Sequence, residues 1–342
     1  MWSMAATAQS PLPLPEISCV NPLLYRPALE QLFAEHERAD HAEFFARAYP
    51  GAVAEGAKAW IGTDQAGRIV MHASRFPHRF LAGADTLIGG LIVNIMVAKA
   101  YRTHVPARAL FDRYVADSRN DGDIDFLYTE TTPRGANVLT AVGARIVGHI
   151  SRFVLPIGSD QIAPNLAIRG YLRMRQLRRG AGRFQTTRHA AREFVSESVD
   201  TPMGASDRIR GVHSFDLYCR RLKGYPTALD HWIVAESAEG KGAALVRGPE
   251  STGYAWLQKL DWTIEDRGAP MVLAMVDVFR EIGCRAVQIH TLADSAFADE
   301  LRRAGFVERE SQPFVALALS EKGEHALTDM RKWQITDVDL DS

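Results

Sequence analysis

The sequence predicts an α/β (α+β) fold in which one unit, a mixed twisted sheet flanked by helices, is used twice in tandem. Three observations carry that expectation. A buried-type strand, a short polar turn and an amphipathic helix follow one another between Leu87 and Ala116. The same order of elements recurs between His231 and Phe306. The spacing from Pro106 to Gly143 nearly equals that from Pro270 to Gly305, as a repeated supersecondary unit requires.

Each element has a local reason. Trp60 to Asp64 and Arg68 to Ala73 flank the turn Gln65-Ala66-Gly67 and read as a hairpin. Leu91 to Val97 is almost continuously apolar and partly β-branched, which suits a strand covered on both faces. Tyr101 to Pro106 breaks that run, and Pro106 is suited to open a helix because its fixed φ is helical and its missing N–H costs no bond there. Leu110, Phe111, Tyr114 and Val115 then fall near helical spacing. Asp125 to Thr129 is the next strand, Pro133 to Val142 a helix, and Gly143 to Gly148 a closing strand. In the second copy His231 to Ala235 and Gly242 to Val246 form the hairpin, and Tyr254 to Leu260 the strand. A polar turn at Glu265 to Ala269, a helix opened by Pro270, a strand at Ala286 to His290 and a helix from Asp294 to Ala304 complete it.

The expected organisation is a proline-containing leader (1–22), a first unit (23–157), an arginine-rich linker (158–204), a second unit (205–320) and a tail (321–342). Such a pair implies an interface between copies and a central cleft. Where a strand feeds a helix through a tight turn, unpaired backbone N–H groups converge and anions settle. Arg102 and Arg108 flank that spot in the first unit, which makes it a candidate phosphate site.

This turn, Arg102 to Ala107, resembles the acyl-CoA-binding signature of the GNAT acyltransferase superfamily, Arg/Gln-x-x-Gly-x-Gly/Ala. Arg102, Val105 and Ala107 hold the three pattern positions, with valine where the family has glycine. The resemblance extends over roughly residues 55–156, and the second copy resembles a second such half. It implies an acyl-CoA-dependent N-acyltransferase that takes acetyl-CoA or another acyl-CoA as co-substrate and acylates an amine of a small molecule or peptide. The residues it points to for the cofactor are Met96, Val97, Arg102, Thr103, His104, Val105, Ala107 and Arg108. In the second copy Glu265 and Asp266 bring negative charge where phosphate would sit, beside Arg267 and Gly268, so one cofactor site is expected, in the first half.

Catalytic groups are harder to place. The family often carries a glutamate on the strand before the phosphate turn, where this chain offers Asn94, which cannot serve as a base. Glu130 and Asp261 are the substitute bases, and Tyr128 the substitute acid, because Leu139 and Leu301 stand where the family often has a tyrosine. His72, His78 and His290 have suitable intrinsic basicity, although lone histidines are more often structural. Two other readings stay open: a non-catalytic acyl-CoA-binding or regulatory module, and a FemAB-type aminoacyl-transferase.

Composition narrows the classes further. The formal net charge of −1 argues against a general nucleic-acid binder, and 46% apolar with 24% charged residues is ordinary for a soluble chain. Cys19, Cys219 and Cys284 lie far apart, so neither a disulfide framework nor a metal site is expected, and a reducing cytoplasm fits. No uncharged apolar run is long enough to span a bilayer, and no signal peptide is read. Arg169, Arg173, Arg175, Arg178, Arg179, Arg183, Arg188 and Arg192 make the linker a solvated helix, a weak anionic-surface contact, or an extra hold on the phosphates of CoA. Asp337, Asp339 and Asp341 alternate as calcium ligands do, without the glycine and distal glutamate of a calcium loop. They read as a tail that docks Trp333 or closes over a cleft. Either a monomer or a homodimer accommodates these features.

Overall fold

The computed structural model describes residues 13–36, 39–102, 104–157, 184–190, 208–238, 240–263 and 268–340. The leader up to residue 12, Thr103, the turn 264–267 and nearly all of the arginine-rich linker lie outside them, and with them the expectations placed there.

Apolar runs form most strands where the sequence locates them, in one mixed sheet, but Glu16–Val20 in the expected leader and Gln185–Ala190 in the expected arginine-rich linker are paired strands rather than a loose segment and a solvated helix. The first run gives β1 (Glu16–Val20), α1 (Arg26–Glu35), α2 (Ala39–Ala54), β2 (Lys58–Thr63), β3 (Ile69–Ala82), β4 (Asp85–Val97), α3 (His104–Asp121), β5 (Phe126–Glu130), α4 (Pro133–Thr140) and β6 (Arg145–Pro156). The second gives β7 (Gln185–Ala190), β8 (Ile209–Gly211), α5 (Phe215–Arg221), β9 (Asp230–Ser237), β10 (Gly240–Arg247), β11 (Tyr254–Trp262), α6 (Gly268–Glu281), β12 (Ala286–Leu292), α7 (Ala296–Ala304) and β13 (Val307–Ala318). The chain ends with α8 (Glu321–Ala326), β14 (Trp333–Gln334) and a 3-10 turn over Asp337–Asp339.

Several boundaries differ from expectation, among them the closing strand read at Gly143 to Gly148, which runs over Arg145–Pro156. α3 begins at His104, two residues before Pro106, because the first turn of a helix tolerates proline without losing a bond. α6 likewise starts at Gly268 rather than Pro270. α4 does open on Pro133, with the Thr132 side chain capping Gly135 N at 3.3 Å.

In each half a parallel pair joined by a helix, β4–α3–β5 and β11–α6–β12, stands beside antiparallel neighbours. What joins the halves is an exchange of their last strands. β6, which follows α4, pairs with β12 of the second half along Ile150–Pro156. β13, which follows α7, pairs with β5 of the first half along Phe314–Ala318. β6 and β13 also pair with each other, so the order β1-β2-β3-β4-β5-β13-β6-β12-β11-β10-β9-β7 is unbroken. The cores are exchanged with the strands. Phe153, Leu155 and Ile157 pack with Ile233, Leu257, Met275 and Phe279. Phe314 and Ala316 pack with Phe33, Phe45, Tyr49 and Phe80 beneath α1 and α2. On the opposite face Val315 and Leu317 join Trp60, Phe111, Tyr114 and Leu127 beneath α3 and α4. Burying each such side chain contributes about 1.5–3 kcal/mol. The halves therefore meet through a shared sheet, and also where α5 packs on α2, Arg47 donating to Arg220 O at 3.0 Å.

Candidate active site

β4 and β5 are paired over only three residues, Gly89 to Leu91 against Phe126 to Tyr128, and then separate. A bulge in β4 drives them apart. The register with β3 shifts between His72 and Ser74, and Asn94 there has φ of 52°. That left-handed conformation is one asparagine tolerates better than most residues. A buried network holds it: Asn94 Nδ2 donates to the Tyr49 hydroxyl at 3.0 Å, Tyr49 donates to Ser74 Oγ at 3.1 Å, and His72 Nδ1 lies 2.8 Å from Asn94 O. Asn94 is thus a structural residue of the bulge. Thr129 Oγ1 bridges the widening gap to Ile92 O at 3.2 Å.

The separation opens a cleft of about 570 Å³. Of the residues expected to hold the cofactor, Met96, Val97, Arg102 and Ala107 line it. His104 and Val105 supply backbone to the first turn of α3 beside them, where helix N–H groups lack internal partners. Arg108 turns outward, its exposed guanidinium 3.6 Å from Asp112, so it is not part of the lining. Arg102 is held in place, with Nε donating to Val97 O at 3.0 Å and a terminal nitrogen 2.5 Å from His36 Nδ1. Burial and the Arg102 charge both lower the basicity of His36, which keeps it neutral and able to accept. Sequence reasoning missed the far wall, which α4 supplies through Thr132, Arg134, Gly135 and Asn137. Arg134, one residue into a helix opened by proline, is the signal that was available. Leu139 also faces the cleft, so the position where the family often has a tyrosine is in place but apolar.

The second half has the same framework with its opening filled. β11 and β12 are paired over three residues, Tyr254 to Trp256 against Ala286 to Gln288. Past them the C-terminal segment enters, with Gln334 Nε2 donating to Leu260 O at 2.8 Å and Asp337 Oδ2 accepting from His290 N at 3.0 Å. The N-terminus of α6, where a phosphate would lie, is occupied by the buried Glu300 carboxylate, which accepts from Ala269 N at 2.8 Å and pairs with Arg303. Trp262 stacks on Phe297 at 4.9 Å and covers Gly268.

The three candidate catalytic residues fall in different surroundings. Asp261 is buried in an ion pair with Arg210 and also accepts from Trp262 N at 2.8 Å and Gln334 Nε2 at 3.3 Å, all in the second half. Tyr128 is wholly buried and gives its proton to Asp339 O at 3.1 Å. Glu130 ends β5, two residues before the cleft-lining Thr132, and is only partly buried. Burial raises its pKa, the charge of Asp337 raises it further, and His290 opposes both. His290 and Asp337 form a dyad that sequence reasoning did not connect: Asp337 grips the His290 ring, Nδ1 to Oδ1 at 2.7 Å, as well as its backbone. Burial alone would lower the pKa of His290, but the hydrogen bond and charge of Asp337, with the charge of Glu130, raise it above the ordinary value.

Comparison with solved structures agrees with this framework. The chain is similar to a GCN5-related N-acetyltransferase from Kribbella flavida (13% identity, 90% of this chain and 73% of that one, TM-score 0.57). It is similar to another from Anabaena variabilis (10% identity, 89% and 73%, TM-score 0.60). It is also similar to a conserved protein of unknown function, a probable N-acyltransferase, from Enterococcus faecalis (8% identity, 91% and 74%, TM-score 0.62). No family model and no curated protein matches the sequence. The chain has the fold of the GCN5-related N-acetyltransferases. Among the described residues no helix is long and apolar enough to cross a membrane.

Proposed function

We propose that this protein is an acyl-CoA-dependent N-acyltransferase with one working cofactor site, in its first half. The observation that carries this reading is the asymmetry of the two strand openings: one is an open 570 Å³ cleft between two arginines, the other is filled by the chain itself. The pantetheine arm would run along the unpaired edge of β4 at Met96 and Val97. The pyrophosphate would sit between the first turn of α3, Arg102 and Arg134. A helix N-terminus contributes about 0.3–2 kcal/mol to an anion, and hydrogen bonds to charged groups roughly 1.5–3 kcal/mol each. Together these support micromolar binding, about −8 kcal/mol.

The acceptor is an amine on a small molecule or peptide, approaching from the side of Glu130. Glu130, or His290 oriented by Asp337, takes a proton from the ammonium form. The amine nitrogen bonds to the thioester carbonyl carbon, the C–S bond breaks, and the second proton, which the nitrogen sheds as it becomes the amide, passes to the CoA thiolate by way of solvent. With Leu139 at the cleft wall no side chain there donates a proton. A thiol with a pKa near 8.5 leaves adequately without one, and positioning alone supplies about 7–11 kcal/mol of the barrier. The same leucine favours a second reading, an acyl-CoA-binding module without turnover.

Calorimetric titration of acetyl-CoA, longer acyl-CoAs and free CoA into the wild type, Arg102→Glu and Arg134→Glu tests the site. Micromolar binding lost in both variants supports it. No binding up to millimolar ligand rejects a CoA donor, and binding without acylation of any amine favours the module.

A further inference from the structure

One cluster takes no part in that chemistry. His78 on β3, His213 two residues past β8, and Asp339 in the C-terminal turn converge between the halves, each more than nine-tenths buried. One ligand atom from each lies within 4.8 Å of the others. Tyr128 fixes where the protons are. Its hydroxyl donates to Asp339 O at 3.1 Å, so its oxygen accepts from His78 Nδ1–H at 2.9 Å. Nε2 of His78 is then a bare lone pair, with no hydrogen-bond partner among the described residues. It stands 3.4 Å from Asp339 Oδ1.

Although Asp339 Oδ1 also meets His213 Nε2, the bare lone pair of His78 facing it is the arrangement that a cation between the two would satisfy. A shared proton would draw nitrogen and oxygen to about 2.7–2.9 Å. Around a tetrahedral zinc with bonds of about 2.0–2.2 Å, ligand atoms sit roughly 3.4 Å apart. The observed separation matches the metal. His213 Nε2 lies closer to the same oxygen, at 2.6 Å, and a small swing of its ring, about 1 Å or less on the same tetrahedral geometry, opens that edge. A Cβ on Gly211 would collide with Asp339 Oδ1 and stand 2.7 Å from His213 Nε2, so glycine keeps the approach clear. A void of about 10 Å³ beside His213 and Asp339, bordered also by Arg210, Lys259 and Asp261, is the size of one water, which a fourth ligand position would need.

We propose that His78, His213 and Asp339 form a buried site for one divalent transition-metal ion that ties the C-terminal turn to the first half. Two imidazoles and one carboxylate select zinc-type ions over calcium or magnesium. The hydrogen bond from His78 to Tyr128 is the outer support that such a ligand carries. Arg221 and Lys259 act on His78 with positive charge, which weakens the hold on a cation relative to a site without them.

The test is titration of Co²⁺ into chelator-treated full-length protein. The expected result is a saturable tetrahedral Co²⁺ absorption at one equivalent, displaced by Zn²⁺, with affinity reduced at least tenfold in His213→Ala and in His78→Gln. X-ray absorption of the zinc-loaded wild type should give a nearest shell with two imidazoles, and this measurement does not depend on the variants folding. Absence of a saturable band in the wild type overturns the proposal, and so does a nearest shell without two imidazoles or a band unchanged in both variants.

Discussion

Glu130 is the residue on which both halves act, since its own strand belongs to the first and the dyad that charges its surroundings to the second. Because burial raises its pKa, the base is half-formed at a pH above the ordinary glutamate value of 4.5. Glu130→Gln is expected to lower kcat by about 10²–10⁴ and to remove that acidic limb from the pH profile of kcat/KM. If the limb persists but moves to lower pH, because the charge of Glu130 no longer raises the pKa of His290, the base is His290. A second prediction concerns His72, whose pKa burial lowers to about 4. The unfolded chain takes up a proton near pH 6.5, while the native state refuses it until about pH 4. The stability from this group is therefore complete above pH 6.5 and is lost as pH falls toward 4, by up to about 3 kcal/mol. Urea unfolding at pH 7, 6 and 5 should show the decline, with a smaller slope in His72→Gln. The role of Asn94 at the bulge was half legible: its side chain excludes a base, but only the register shift against β3 shows what it does instead.

At the scale of elements, the paired units were legible because their signals are local: apolar runs, the turn at Gln65-Ala66-Gly67, and prolines near helix starts. The closure of the second opening was legible only as a hint of acidic charge near α6. The carboxylate that fills it, Glu300, comes from the next helix, and no local pattern connects Ala269 to a residue 31 positions later. Glu300→Gln is expected to cost about 1–3 kcal/mol of stability, since a buried helix N–H and Arg303 both lose a charged partner. Calorimetry of the same variant should show acyl-CoA affinity unchanged, because the cofactor lies in the other half. The dyad escaped for a similar reason: His290 and Asp337 meet only after the tail turns back across β11 and β12.

At the scale of the molecule, the repeat was legible and the exchange of strands was not. The strand Val307–Ala318 was not read from the sequence, and its partner in the first half could not be, because pairing partners far apart in sequence leave no trace in periodicity. The exchange makes a firm prediction. Made separately, residues 1–204 lack β13 and β8, and residues 205–342 lack β6 and β7, so each fragment is missing paired strands and a layer of core. Neither fragment should show cooperative unfolding or elute as a folded species in gel filtration, whereas the two produced together should recover a complex with cooperative melting. A cooperatively folding 1–204 fragment would contradict the topology.

The same exchange bears on how the chain is born. During synthesis β5 emerges early with an open edge, and the strand that covers it, Phe314–Ala318, is made only after the whole second unit. The first unit therefore cannot complete itself domain by domain, as tandem proteins ordinarily do on the ribosome. Its apolar edge must wait until the second unit has been made, and the cofactor cleft matures only after that.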